Sequence, residues 1–247
     1  MTPPATTDQR SRPTLHPDFV RSLVRTFDDP DEHGVHLLFN EWWPYAPDET
    51  IERYLTGLRE KPGAAAFLAA RHLAPPIALE ELAAMPAGSL GRGYHDFLTR
   101  HGLEKNLAVN YRMLHDAVAA KGRLDRMPDD LKYAVIRGFQ IHDLLHVVAG
   151  YSPSRSDELA LQAFCLAQLQ FPYFGMWMST TTTRMTFLEP HHVVPIMDAI
   201  TQGWQYGRTV RNLQFERWEE MLQEPLEAVR ASYGIAVEGH APLADRR

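Results

Sequence analysis

The chain has 247 residues, 45% of them hydrophobic, and a formal net charge of −6. That length suits one large domain or two small ones with a sizeable core, and the acidic balance, with no basic stripe interleaved with aromatics, argues against a nucleic-acid partner. The one cysteine, Cys165, excludes an intrachain disulfide framework and fits a reducing compartment.

Residues 1–15 are rich in Pro, Thr and Arg and read as a disordered lead-in, with no apolar run of the signal-peptide kind. Helical periodicity then dominates. Phe19, Leu23, Val24 and Phe27 mark a first helix that starts near Pro17-Asp18 and stops around Asp28-Asp29-Pro30. His36 to Trp43 is a second, with a bulky Trp42-Trp43-Pro44-Tyr45 end suited to core or interface. Glu49 to Leu58 and Ala64 to Leu73 are short helices, and Pro75-Pro76 interrupts before Leu79 to Met85. Pro86-Ala87-Gly88-Ser89-Leu90-Gly91 is a turn into a helix carrying Tyr94, Phe97 and Leu98. Its glycines lack the spacing and Lys-Ser/Thr ending of a phosphate loop. Asn106 to Ala120 is expected to be helical.

Pro128-Asp129-Asp130 opens a long helix over Leu131 to Val148, its acidic first turn matched to the helix dipole. Gly150 caps its end. Ser156 is the expected N-cap of the next helix, which puts Asp157 and Glu158 in its first turn and runs on to Pro172. Cys165 packs there as a small apolar residue. Phe174-Gly175-Met176-Trp177-Met178 and Thr180 to Thr183 form a bulky stretch that suits an apolar channel or ordinary core. Glu189 to Arg211 is one helix or a broken pair. Phe215 to Ala231 is the last, interrupted near Pro225, and residues 236–247 form a loose tail. With no convincing strand, repeat or linker, the expected fold class is all-α: a single helical domain over 16–235. No stretch approaches the ~20 apolar residues that span a membrane.

Chemistry concentrates in His142-Asp143-Leu144-Leu145-His146 and Glu158. Residues four apart on a helix stand one above the other, so His142 and His146 can face one ion. Asp143 lies about 100° round from His142, still within one side of the helix. The turn through Gly150, Ser152 and Pro153 lets Glu158 return from the next helix. Two histidines at this spacing are often structural, but two carboxylates beside them in apolar surroundings are costly to bury without a compensating charge. A divalent cation at this helix–turn–helix elbow would provide it.

The segment His142-Asp143, His146, Glu158, with the eleven residues Val147 to Asp157 before the glutamate, resembles the hallmark of the coenzyme Q (ubiquinone) biosynthesis protein four family. Pro86 to Tyr94 is similar to the family's entry loop, and Gly203 to Arg211 and Trp218 to Ile235 resemble its C-terminal helix, so the likeness runs from Leu79 to Ile235. Two departures sit beside the hallmark. Asp157 stands where the family often has Gly, and Phe139, Gln140 and Ile141 stand where it is often charged. The resemblance implies metal ligands and catalytic groups at His142, Asp143, His146 and Glu158. The metal is usually described as zinc, with iron, manganese, cobalt or magnesium as alternatives. It also implies a polyprenylated benzoate substrate whose ring carboxyl at C1 is replaced by hydroxyl, and other quinone-biosynthesis proteins as partners. Peripheral membrane contact goes with it, in the cytoplasm at the inner membrane if the source is bacterial.

The residues themselves suggest that an ion would stabilise charge as a C–C bond breaks, and that Asp143 ligates, orients His146 or acts as a base. Zinc carries no electrons, so a redox-active ion or dioxygen would have to take part. An apolar tunnel between helices would bury the isoprenoid tail. Two rival readings remain. One is a non-catalytic isoprenoid-binding scaffold with a closed structural metal. The other is a metal-dependent phosphohydrolase drawing on His101, His115 and Asp116. The Trp42-Trp43 and Trp177 regions are candidate surfaces for a homodimer or for membrane docking.

Overall fold

The computed structural model describes residues 14–113 and 124–236. The helix expected over Asn106 to Ala120 falls partly outside them, as do residues 1–13 of the lead-in and the tail from 237. Eleven α-helices lie wholly within the described residues, among which there is no strand and one isolated bridge, between Ser89 and Pro225. They are α1 (Pro17–Asp28), α2 (Val35–Trp42), α3 (Asp48–Arg59), α4 (Ala64–Ala70), α5 (Leu79–Ala83) and α6 (Leu90–His101), then α7 (Asp129–Ala149), α8 (Arg155–Leu169), α9 (Pro172–Phe187), α10 (Val193–Thr209) and α11 (Leu226–Tyr233).

α7 is the spine. Its 21 residues span roughly 30 Å at the α-helical rise, and it joins two apolar clusters. Leu131 and Tyr133 near its start pack with α2, the 3-10 turn that follows it and α3 through Leu38, Trp43 and Leu58. Ile141, Leu144, Leu145 and Val148 near its end pack with α6, α8 and α10. The all-helical expectation holds. Trp42 and Trp43, expected as a possible surface, are core residues at 8% and 0% exposure. Their rings meet each other, Phe39 and Tyr54 edge-on, a favourable aromatic geometry.

α8 packs along α10 at very short range, because Gly203 and Gly207 lie against the backbone of Ala160 and Phe164. Arg137, at 2% exposure, crosses from α7 to the C-terminal segment. It pairs with Glu219 and donates from Nη2 to Glu216 O at 2.7 Å. A buried charge needs such a partner.

Pro190–His192 is 3-10 and precedes α10, so the Glu189 to Arg211 stretch takes the broken of its two expected forms. Two elements differ from the sequence expectation. Glu104–Ala108 is a 3-10 turn rather than the start of a regular helix. Phe215 to Leu222 holds only a 3-10 turn, Trp218–Met221, so the last α-helix is the short α11. The reason is non-local: Leu222 O and Glu224 O accept from Gly91 N at 2.7 Å and Leu90 N at 2.8 Å. These carbonyls complete the N-terminus of α6, whose first N–H groups have no partner within the helix.

Candidate metal centre

The elbow between α7 and α8 begins where Gly150 takes φ of 82° and donates to His146 O at 2.9 Å. This left-handed residue ends the helix and favours glycine. The N-cap of α8 is Ser154 rather than the expected Ser156: Ser154 Oγ accepts from Asp157 N at 3.3 Å. Asp157 turns away from the site. At 3% exposure, its Oδ2 accepts from Ser152 N at 2.9 Å and from Ser152 Oγ at 2.5 Å. The residue that departs from the family pattern is therefore a clasp for the turn. A carboxylate accepting two short hydrogen bonds is a strong local tie.

Three of the four expected side chains converge across this elbow. His142 Nε2 and His146 Nε2 lie 3.2 Å apart, and Glu158 Oε2 lies 3.3 Å from the first and 3.0 Å from the second. His146 is 2% exposed, while His142 and Glu158 are half-buried. His146 Nδ1 is 3.3 Å from Tyr151 O. Tyr151 O and Glu158 Oε2 both accept only, so each ring nitrogen faces an acceptor, and an ion on Nε2 would leave the proton on Nδ1. Phe97 of α6 stacks on the His146 ring with centroids 5.5 Å apart. Glu158 Oε1 accepts from Gln162 Nε2 at 2.5 Å.

Asp143 does not join them. Its Oδ2 accepts from Asn106 Nδ2 at 3.0 Å, and it lines a separate small pocket with Tyr94, Tyr111 and Gln140. One residue of helical rotation, about 100°, takes it off the line of the histidines.

Electrostatics suit a cation. Burial works against the charged forms of His142 and Glu158, but their mutual contact outweighs it. His142 is raised from its ordinary value by Glu158, with help from the Asp143 charge. Glu158 is held far below the usual carboxylate range by the two histidines. The carboxylate is thus ionised at neutral pH. Two imidazoles and one carboxylate, with donor atoms all within 4.8 Å of one another, could hold a divalent ion. That ligand set suits zinc, and suits iron or manganese as well.

His142 and Glu158 of the triad edge a cavity of about 170 Å³ between α7, α8 and α9. Val135, Gly138 and Phe139 form one wall, Tyr173, Phe174 and Trp177 another, and Gln162 and Cys165 lie beneath Glu158. The bulky stretch suited by sequence to a channel thus supplies part of this lining. Glu158 and Trp177 also border a second, more polar pocket of about 480 Å³ reaching Arg155, Arg184 and Glu189. Gln162, in the α8 turn after Glu158, was not singled out in the sequence. Its place one turn beyond the motif glutamate was the available signal. His101 packs on Phe97 and stands apart from the triad, while His115 and Asp116 lie outside the described residues.

An all-helical protein with a His2Glu cluster beside an apolar cavity is the class that fold and site define. The family described as coenzyme Q (ubiquinone) biosynthesis protein Coq4 matches residues 58–238. The chain belongs to that family. A ubiquinone biosynthesis protein of Yarrowia lipolytica, named as mitochondrial, is 27% identical over 183 residues, 72% of this chain and 60% of the relative. The rat protein, also named as mitochondrial, is 27% identical over 164 residues, 64% of this chain and 54% of the relative. The chain thus spans little more than half the length of these relatives. In fold it is similar to the crystal structure of a Nostoc punctiforme PCC 73102 protein proposed for ubiquinone biosynthesis. The TM-score is 0.68 at 21% identity, over 90% of this chain and 99% of that one.

Proposed function

We propose that the protein acts in ubiquinone biosynthesis as a metal-dependent decarboxylase, replacing the C1 carboxyl of a polyprenylated hydroxybenzoate by hydroxyl. The observation that carries this reading is the convergence of His142, His146 and Glu158, two of which, His142 and Glu158, line an apolar cavity. Those three residues would hold the ion, and three protein ligands rather than four are the number catalytic sites use. When bound, the ion supplies electrophilic stabilisation of negative charge on the ring carboxylate, and a redox-active ion could also exchange electrons.

The chain's own residues do the rest. His146 is held in orientation by Tyr151 O at Nδ1 and by the stacked Phe97 ring. Asp143, held by Asn106, lends its negative charge behind His142. Phe174 and Trp177 keep water from the reacting ring, and the prenyl tail, too large for a cavity of about 170 Å³, runs out past its mouth. The reaction breaks the C1–carboxyl bond, releases carbon dioxide and forms a C1–oxygen bond. Two electrons leave the substrate for an oxidant such as dioxygen.

No helix among the described residues is long and apolar enough to cross a membrane. Access to a prenylated substrate is by peripheral contact with the membrane, a reading supported by the exposed Phe187, Leu188 and Val194 at the α9–α10 corner. Other proteins of the quinone pathway are the natural partners. The test is a prenylated 4-hydroxybenzoate labelled with ¹³C in its carboxyl, incubated aerobically with metal-loaded protein. Release of labelled carbon dioxide by wild type and not by Glu158→Gln is expected. Label retained in both under conditions where the substrate binds would leave the isoprenoid-binding scaffold as the better account.

A further inference from the structure

Gln162 is 3% exposed and sits on the wall of the apolar cavity. Its amide nitrogen donates to Glu158 Oε1 at 2.5 Å. A carboxylate accepts only, so the amide cannot be turned round: the nitrogen must face Glu158 and the oxygen must face away. That oxygen, Gln162 Oε1, has no hydrogen-bond partner among the described residues. A buried carbonyl without a donor is costly, and native interiors rarely tolerate one. Phe139, Phe174 and Leu169 on the same wall are apolar, Gln214 commits its amide nitrogen to Cys165 Sγ at 3.4 Å, and the wall's indole donor, Trp177 Nε1, is unpaired too and does not reach the oxygen.

We propose that Gln162 Oε1 is a specificity group of the cavity: it accepts a hydrogen bond from a hydroxyl on an aromatic ligand and discriminates against the corresponding methyl ether. The inference rests on the reading of this cavity as the place of an alkylated ring. Glu158 is central to it, because the carboxylate that belongs to the ion site fixes the amide and leaves only an acceptor on offer. A ring hydroxyl satisfies that acceptor. A methoxy oxygen at the same position brings a second acceptor and leaves both groups unpaired, the kind of mismatch that gives strong rejection in a buried site. A cavity of about 170 Å³ takes a benzene-sized ring with a short chain.

The probes are 4-butylphenol and 4-butylanisole, titrated calorimetrically into the full-length protein with its metal content measured. Wild type is expected to bind the phenol about tenfold more tightly, corresponding to one buried hydrogen bond. In Gln162→Met, which keeps the volume and removes the acceptor, the two should bind within about twofold of each other. Metal content is measured alongside, because a phenol could also ligate the ion. A preference for the phenol that survives in Gln162→Met overturns the proposal, as does equal binding of both probes by wild type. Equal binding would leave the tail-binding reading intact. Binding of neither probe would remove the tail-binding reading along with the proposal. If Gln162→Met fails to fold, a crystal structure of wild type with 4-butylphenol decides: the hydroxyl should lie within hydrogen-bond distance of Gln162 Oε1, and a hydroxyl elsewhere overturns the assignment.

Discussion

Gly203→Ala pits two effects of opposite sign against each other. In a helix interior the change should stabilise by about 1 kcal/mol through backbone propensity. Packing opposes it. A Cβ at Gly203 would lie 1.9 Å from Ala160 O, 2.7 Å from its carbonyl carbon and 2.8 Å from its Cα. Ordinary contact needs about 3.4 Å or more, so α10 would have to move from α8 by roughly 1.5 Å. The obstacle is helix backbone, which cannot swing aside as a side chain can. Overpacking of this kind costs about 1–3 kcal/mol and sometimes more. With the upper end expected here, the net loss is about 2 kcal/mol, a fall in Tm of roughly 4–8 °C for a chain of this size. Gly57→Ala is the control, because nothing lies within 4 Å of its Cβ position in α3; propensity alone should hold or raise its Tm. Thermal unfolding followed by circular dichroism reads both. A Gly203→Ala protein as stable as wild type would refute the close α8–α10 packing. Glu158 lies half a turn before Ala160, so the same variant should also bind metal more weakly.

Three further outcomes are expected. Asp157→Ala removes the acceptor for Ser152 N and Oγ; it should cost about 1–3 kcal/mol in urea unfolding and lower metal retention in competition with a chelator. Glu189 is held down to about 2 by Arg155, Arg184 and His192. A depressed carboxylate stabilises fully above its unfolded value, near 4.5, and that contribution is lost as pH falls toward 2. Glu189→Gln should therefore unfold with a shallower pH dependence across that window, and an unchanged acid titration would contradict the ion cluster. Burial pushes the Cys165 thiol up to about 12, so a thiol reagent at pH 8 should label it only at the rate of unfolding; rapid labelling of native protein would contradict its burial.

Much of this structure was legible in the sequence because the signals are local. Pro128-Asp129-Asp130 and Gly150 mark the two ends of α7, and the four-residue spacing of His142 and His146 carries the pairing of their rings. What was not legible depends on contacts distant in the chain. Asp143 shares a helical turn with the histidines, yet Asn106, 37 residues earlier, takes its carboxylate. Ser154 and Ser156 are both plausible caps; the choice follows from Asp157 folding back on Ser152. Phe215 to Leu222 has helical composition, but Leu90 and Gly91 of α6 draw its final carbonyls. The Trp42-Trp43 pair reads equally as surface or core until α9 and its flanking residues bring Phe171 and Tyr173 to Phe39.

The central claim is that His142, His146 and Glu158 hold a metal ion. Elemental analysis of purified wild type beside the His142→Ala, Glu158→Ala double variant tests it most directly, with circular dichroism confirming that both are folded. About one ion of zinc, iron, manganese or cobalt per chain in wild type, absent from the variant, is the predicted result. No metal in wild type after reloading, or equal metal in both proteins, would contradict it.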